Sequence, residues 1–148
     1  MLLHHISFFS QLDSEQAEAL MGISRNLTFR PREVILEEGE AGPGLYLIQS
    51  GEVTVQKRRP DGGVEVLARL LRGEFFGEVS LVTDLPTTAE AVASEDTVTL
   101  FLPREELLSL VATWPELELK MLREFVRTLC QRLHEADELL VTLRRWRV

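Results

Sequence analysis

Two periodicities divide this chain. Between Leu27 and Leu102 apolar residues recur in short runs, at 27–29 (LTF), 34–36 (VIL), 45–48 (LYLI), 53–56 (VTVQ), 64–70 (VEVLARL), 89–93 (AEAVA) and 98–102 (VTLFL). Short alternating runs of this kind predict strands with one face buried. Turn chemistry separates them: Gly39, Gly42-Pro43-Gly44, Ser50-Gly51, Asp61-Gly62-Gly63, Arg72-Gly73 and Leu85-Pro86. Many short strands at this spacing predict a closed or double-sheet antiparallel architecture such as a jelly roll.

Helical signals flank the strands. Asp13 is the predicted N-cap of a short helix, with Gln16 three residues later completing a capping box and an end near Gly22. From Arg104 the alternation gives way to helical spacing. Pro103 suits a helix start, and Glu105 and Glu106 fall in the first turn, where the helix dipole favours acids. Pro115 then opens a second helix of about 30 residues. Along it Leu119, Leu122, Val126, Leu129, Leu133, Ala136, Leu140 and Leu143 lie at alternating steps of three and four, a heptad seam held for more than three heptads.

That stripe can pack on the chain's own barrel or on a second copy. Phe125 and Leu139 form a second apolar edge beside it, so one face can meet the barrel and the other a partner. With Val126, Leu133 and Leu140 at a, and Leu122, Leu129, Ala136 and Leu143 at d, Arg132 falls at g and Asp137 at e. A parallel homodimer is expected, with Arg132 facing Asp137 of the other chain, a pair worth only about 0.2–1 kcal/mol if exposed.

Charge narrows the function classes. The net charge is −8, and it is uneven: residues 1–101 carry 8 basic and 16 acidic side chains, whereas residues 102–148 carry 8 of each. An acidic body lacks the many phosphate-neutralising cations that unspecific nucleic-acid binding needs. Arg144, Arg145 and Arg147 read as a solvated helix end favoured by the dipole. No apolar run approaches the roughly 18 residues of a membrane span. The N-terminus shows no basic n-region or small-residue cleavage site. Cys130 is the single cysteine, which excludes an internal disulfide and fits a reducing cytoplasm.

The segments EEGEAGPGLYLIQSGEVTVQ (37–56) and LARLLRGEFFGEVSLVTDLPTTA (67–89), with the strand-to-helix tail that follows, resemble the cyclic nucleotide-binding domain. Its relatives include the catabolite-activator (Crp/Fnr-like) family of bacterial regulators and the regulatory subunits of cyclic-nucleotide-dependent kinases. The resemblance runs from about Phe9 to the end of the chain, and FGE followed by a hydrophobic residue, a small residue and Leu is its most specific piece. It implies an α+β fold: an eight-stranded antiparallel β jelly roll (a double-stranded β-helix), an N-terminal helix and a long C-terminal dimerisation helix. The chain is then one domain, 1–148, with a helical segment at 1–25, a barrel at 26–102 and C-terminal helices at 103–148.

The resemblance also implies a site. A phosphate-binding-cassette-like turn spans 76–89, with Phe76, Gly77, Glu78, Val79, Ser80, Thr87, Thr88 and Ala89 as candidate ligand contacts. The FGEVSL helix would aim its N-terminal N–H groups at a cyclic phosphate. Gly77 would let the backbone approach the ligand. Glu78 would accept a hydrogen bond from the ribose 2′-hydroxyl, and Ser80 would sit near the phosphate. Alternatively, the same glycine and small residues close a tight turn in the barrel without any ligand.

One position departs from the family pattern. Members carry an arginine in a P-R-[TSA]-A run that forks onto the phosphate oxygens; here the run is Pro86-Thr87-Thr88-Ala89, followed by Glu90 where Ser or Thr is usual. A guanidinium makes two charge-assisted bonds of about 1.5–3 kcal/mol each, so its loss removes roughly two to four powers of ten in affinity. A pocket keeping Glu78 without the arginine turns negative. Arg69 and Arg72 are the candidate substitutes.

Two functions of different class follow. The chain is a sensor of cyclic AMP, cyclic GMP or a related small ligand, coupled to its C-terminal helix, or it is a ligand-free dimerisation module whose function lies in the seam Leu122–Leu143. No catalysis is expected. A metal-dependent cupin needs several His converging inside the barrel, and His4, His5 and His134 all lie outside the predicted strands; no Walker loop, Rossmann fingerprint or nucleophile elbow is present. No cofactor or metal is expected. The expected partners are a second copy and a separate effector protein, with no membrane and, without a helix-turn-helix before Val148, no direct DNA contact. The expected location is the cytoplasm.

Overall fold

The computed structural model describes residues 7–145. Helices α1 (Ser7–Ser10) and α2 (Ser14–Ile23) lead into strands β1 (Arg25–Phe29), β2 (Val34–Leu36), β3 (Gly44–Ser50), β4 (Glu52–Arg58), β5 (Val64–Leu71) and β6 (Phe75–Phe76). A single-turn-and-a-half helix, α3 (Glu78–Thr83), separates these from β7 (Glu90–Ala93) and β8 (Thr97–Pro103); α4 (Arg104–Ala112) and α5 (Pro115–Arg145) complete the chain. The strands form two four-stranded antiparallel sheets, ordered β1-β8-β3-β6 and β2-β7-β4-β5. This is the expected eight-stranded jelly roll.

Seven of the strands coincide with the alternating runs. The eighth, β6, is the Phe75-Phe76 pair, and a two-residue strand leaves no alternation to detect. Its two rings point to opposite sides of the first sheet. Phe75 joins a core of Phe8, Leu20, Leu45, Leu47, Leu100, Leu102, Leu107, Leu117 and Phe125 between that sheet and the helices. Phe76 joins a second core of Leu36, Tyr46, Ile48, Val53, Leu70 and Ala91 between the sheets, where it stacks on Tyr46 with ring centroids 4.8 Å apart. β3 serves both cores by the period-two rule, Leu45 and Leu47 toward the helices and Tyr46 and Ile48 inward.

The helix starts follow the local chemistry. Asp13 accepts a bond from the Gln16 amide and the Gln16 side chain accepts one from the Asp13 amide, so the capping box is complete. Pro103 is the N-cap of α4, and Pro115 is the first residue of α5. Over its first third α5 buries Leu117, Met121 and Phe125 against the barrel. As a whole α5 is a single helix of 31 residues, about 46 Å long at 1.5 Å per residue. Leu122, Val126, Leu129, Leu133, Leu140 and Leu143 are all exposed on it, and Leu133 is 63% exposed.

Candidate functional site

A cavity of about 690 Å³ opens between the second sheet, the segment 76–89 and the middle of α5. All eight residues singled out from the sequence, Phe76, Gly77, Glu78, Val79, Ser80, Thr87, Thr88 and Ala89, line it. β5 contributes Val66, Leu67, Ala68 and Leu70. Leu67 reaches the cavity because β5 bulges there: Val55 pairs with Ala68 and Gln56 with Val66, so Leu67 is the extra residue turned out of the ladder. A strand pattern read at strict period two places Leu67 on the other face. Neither Arg69 nor Arg72 lines the cavity, so neither replaces the arginine missing at Thr87.

The third wall is α5, through Arg132, Glu135, Ala136 and Leu139. Arg132 reaches across to the cassette-like turn. Its Nη1 donates to Glu78 Oε1 at 2.9 Å, its Nη2 donates to the Phe75 carbonyl at 3.0 Å, and its guanidinium lies 5.8 Å from the Phe75 ring centroid. Within the single chain Arg132 is thus turned toward the barrel, away from the side on which a contact with Asp137 of a second copy is expected. A heptad g position flanks the seam and can turn to either side; a buried carboxylate on the barrel decides the side here. Ala136, assigned to the seam, likewise lines the cavity.

Glu78 explains the strength of that pull. Its side chain is only 4% exposed, against 30% for Arg132. Burial pushes the Glu78 carboxyl above the usual glutamate range, while the Arg132 charge, a backbone N–H and the Arg132 hydrogen bond act the other way. A buried charge without a partner is strongly unfavourable, so the arginine holds the carboxylate and the carboxylate holds the helix.

Gly77 is required by the barrel's own backbone. It sits at φ +93°, and a Cβ there would lie 2.4 Å from the Gly44 carbonyl oxygen on β3. What comes close to the glycine is the barrel's own backbone, which is the tight-turn alternative. Ser80 is buried and packs against Gly42, where an added Cβ would stand 2.4 Å from the Ser80 Cβ. The far end of α3 is fixed by Arg104, which donates to the Ser80 carbonyl and to Asp84 Oδ1. Arginines from α4 and α5 thus hold opposite ends of the turn.

Thr87 is tied to the loop before β3. Its hydroxyl donates to the carbonyls of Glu37 and Glu40 at 2.5 and 3.2 Å, and its backbone bonds Gly39 and Glu40. Glu90, the other departure from the family pattern, is buried, accepts from Gln56 Nε2 at 2.6 Å and faces Arg58 Nε at 3.6 Å. Both substitutions are accommodated by local partners. Among the described residues no group of three or more His, Cys, Asp and Glu side chains is placed to hold a metal, and no helix is long and apolar enough to cross a membrane. His134 pairs with Glu138 on the exposed part of α5; His4, His5 and Arg147 lie outside the described residues.

The cyclic nucleotide-binding domain family model matches residues 26–113. The chain is 33% identical over 129 residues to the cyclic AMP receptor protein of Thermus thermophilus, covering 87% of this chain and 58% of that protein. The crystal structure of the Thermus thermophilus catabolite activator protein superposes with a TM-score of 0.74, covering 92% of this chain and 62% of that one. The regulatory subunit of a cAMP-independent protein kinase A from Trypanosoma brucei superposes with a TM-score of 0.77 at 26% identity, covering 93% of this chain and 48% of that one. A variant of that subunit with glutamate-to-alanine, threonine-to-arginine and valine-to-alanine substitutions is bound to cAMP in its A site; it superposes with a TM-score of 0.65 at 27% identity, over 82% of this chain and 48% of that one. The chain spans less than two thirds of each of these relatives.

Proposed function

The chain belongs to the cyclic nucleotide-binding domain family, and from that premise we propose that it is a non-catalytic sensor which couples a small molecule in the barrel cavity to the position of α5. One observation carries this. Glu78 forms part of the cavity wall and is at the same time the anchor of Arg132 on α5. An occupant that hydrogen-bonds Glu78 competes with Arg132 or reinforces it, so occupancy changes the free energy of helix docking directly. Ligand-driven change needs such differential contacts, and this is where they arise. The ligand contacts are Phe76, Gly77, Glu78, Val79, Ser80, Thr87, Thr88 and Ala89.

The second half of the function is a homodimer through α5. Leu122, Val126, Leu129, Leu133, Leu140 and Leu143 present a continuous exposed apolar stripe at heptad spacing. With Arg132 turned inward, the seam is apolar along its centre. A separate effector protein reads the helix disposition. The single cysteine fits a cytoplasmic location.

A second function, a dimerisation module with no ligand, is favoured by the state of the polar groups. Thr87 is bonded to the loop carbonyls and Arg132 to Glu78, so both are satisfied by the chain itself. Calorimetric titration with cyclic AMP and cyclic GMP separates the two, on the wild type and on Thr87→Arg. The sensor function expects heat from at least the variant, whose restored guanidinium adds about two to four powers of ten in affinity. Silence from both proteins with both nucleotides leaves the dimerisation module. The trypanosome variant that contains a threonine-to-arginine change and is bound to cAMP supports the choice of substitution.

A further inference from the structure

Granting the sensor function, we propose that the cavity takes an uncharged ligand, with an apolar body and an edge of O–H or N–H donors, in preference to an anionic nucleotide. The observation is the charge inventory of the walls. Three carboxylates, Glu65, Glu78 and Glu135, line the cavity with one guanidinium, Arg132; Glu65 is exposed and paired with Arg59 at 3.1 Å, Glu135 is exposed, and the buried Glu78 takes Arg132, so the wall has no cation left over for an anion. That guanidinium is engaged through both Nη1 and Nη2, on Glu78 and on the Phe75 carbonyl. An anion seeking Arg132 must displace Glu78 and leave a carboxylate, itself only 4% exposed, without a counter-charge.

The remaining cations near the segment face elsewhere. Arg104 grips the outer side of α3 through the Ser80 carbonyl and Asp84 and is not part of the cavity wall. Arg58 faces Glu90 and Lys57 faces Glu38. Thr87, at the place of the family's arginine, directs its hydroxyl to the Glu37 and Glu40 carbonyls. An anion therefore finds no free cation to clamp it and must give up its hydration without compensation.

A neutral molecule meets neither difficulty. Leu36, Val55, Leu67, Phe76, Ala91 and Leu139 supply apolar wall for its body, and the volume of about 690 Å³ lies in the range usual for small-ligand sites. Glu78, Ser80 and Thr88 supply oxygen acceptors for its donors. Glu65 and Glu135 are exposed at the mouth, so a cation gains little from them through solvent screening. Deeper in, the Glu78–Arg132 pair is neutral as a unit, and an apolar wall penalises any net charge.

The test compares two probes that share a base and a ribose and differ in charge, adenosine and cyclic AMP, by calorimetry at fixed moderate salt. The expected result is a dissociation constant for adenosine at least about tenfold below that for cyclic AMP on the wild type, with the order reversed on Thr87→Arg. Cyclic AMP binding the wild type as tightly as adenosine overturns the charge argument and leaves the sensor function standing. A wild type that binds neither probe also overturns it. In that case Thr87→Arg decides the sensor function: cyclic AMP binding by the variant keeps the cavity as a competent site, and no binding removes both conclusions.

Discussion

Replacing Arg132 with alanine is expected to destabilise the domain by about 2–4 kcal/mol at neutral pH. The change removes one bond to a buried carboxylate and one to a backbone carbonyl. Breaking a buried pair by deleting one partner costs about 3–5 kcal/mol, and partial exposure of Arg132 at 30% discounts the attraction it supplied. For a domain of this size that corresponds to a fall in Tm of roughly 5–15 °C. The dependence on pH identifies the cause. Burial raises the Glu78 carboxyl above the ordinary 4.5, and Arg132 opposes that rise, so the variant's carboxyl lies higher still. For an acid raised in the folded state, the fold binds the proton more tightly than the unfolded chain does. Stability then falls as pH rises from about 4.5 through the folded value and levels off above it. The deficit of Arg132→Ala is thus smallest near pH 5 and largest at pH 8. Urea denaturation followed by circular dichroism, at one fixed protein concentration, measures it at both. Glu78→Gln in the same background should recover most of the loss and flatten the pH response. A deficit below about 0.5 kcal/mol, or one of equal size at pH 5 and pH 8, refutes the assignment of Arg132 as the counter-charge.

Three further outcomes follow from the same geometry. Gly77→Ala places a Cβ against the Gly44 carbonyl at a positive φ and should cost more than about 2 kcal/mol, read as a lowered thermal midpoint. Leu129→Glu with Leu133→Glu removes four leucines from a symmetric seam, because both copies carry the changes, and at about 1.5 kcal/mol per side chain should weaken the homodimer by roughly four powers of ten; sedimentation equilibrium reads the shift, and unchanged mass excludes the seam. Arg104→Met should cost only about 1 kcal/mol, because Asp84 is exposed, yet it should speed amide hydrogen exchange across residues 78–84 relative to the strands.

Legibility in the sequence tracked how local each determinant is. The capping box at Asp13 and the two proline helix starts are set by residues within a few positions of one another, and the structure has them as read. Strands of three residues or more show their alternation, whereas β6 shows none because its two phenylalanines serve different cores. The β5 bulge at Leu67 depends on how β4 pairs with it, which no single run reveals. The eight residues of the cassette-like turn and its flank came together in one cavity because they lie within 14 positions, 76–89, that the barrel closes as a unit. The contact of Arg132 is illegible for the opposite reason. Its orientation depends on Glu78, 54 residues away, and heptad arithmetic along α5 carries no information about that carboxylate.

The two arginines that hold α3 also set an order of events. Arg104 reaches Ser80 across 24 residues, and Arg132 reaches Glu78 and Phe75 across 54 and 57. During synthesis Arg104 follows directly on β8, whereas Arg132 leaves the ribosome only after all eight strands and α4, and a contact so distant in sequence closes late. Until α5 docks, the Glu78 carboxyl has no counter-charge, and the nascent barrel either keeps that side chain in water or keeps it protonated. The part of the domain that lines the cavity is therefore the last part of the barrel to mature, and a chain interrupted before Arg132 emerges with its strands paired and its cassette-like turn unfinished.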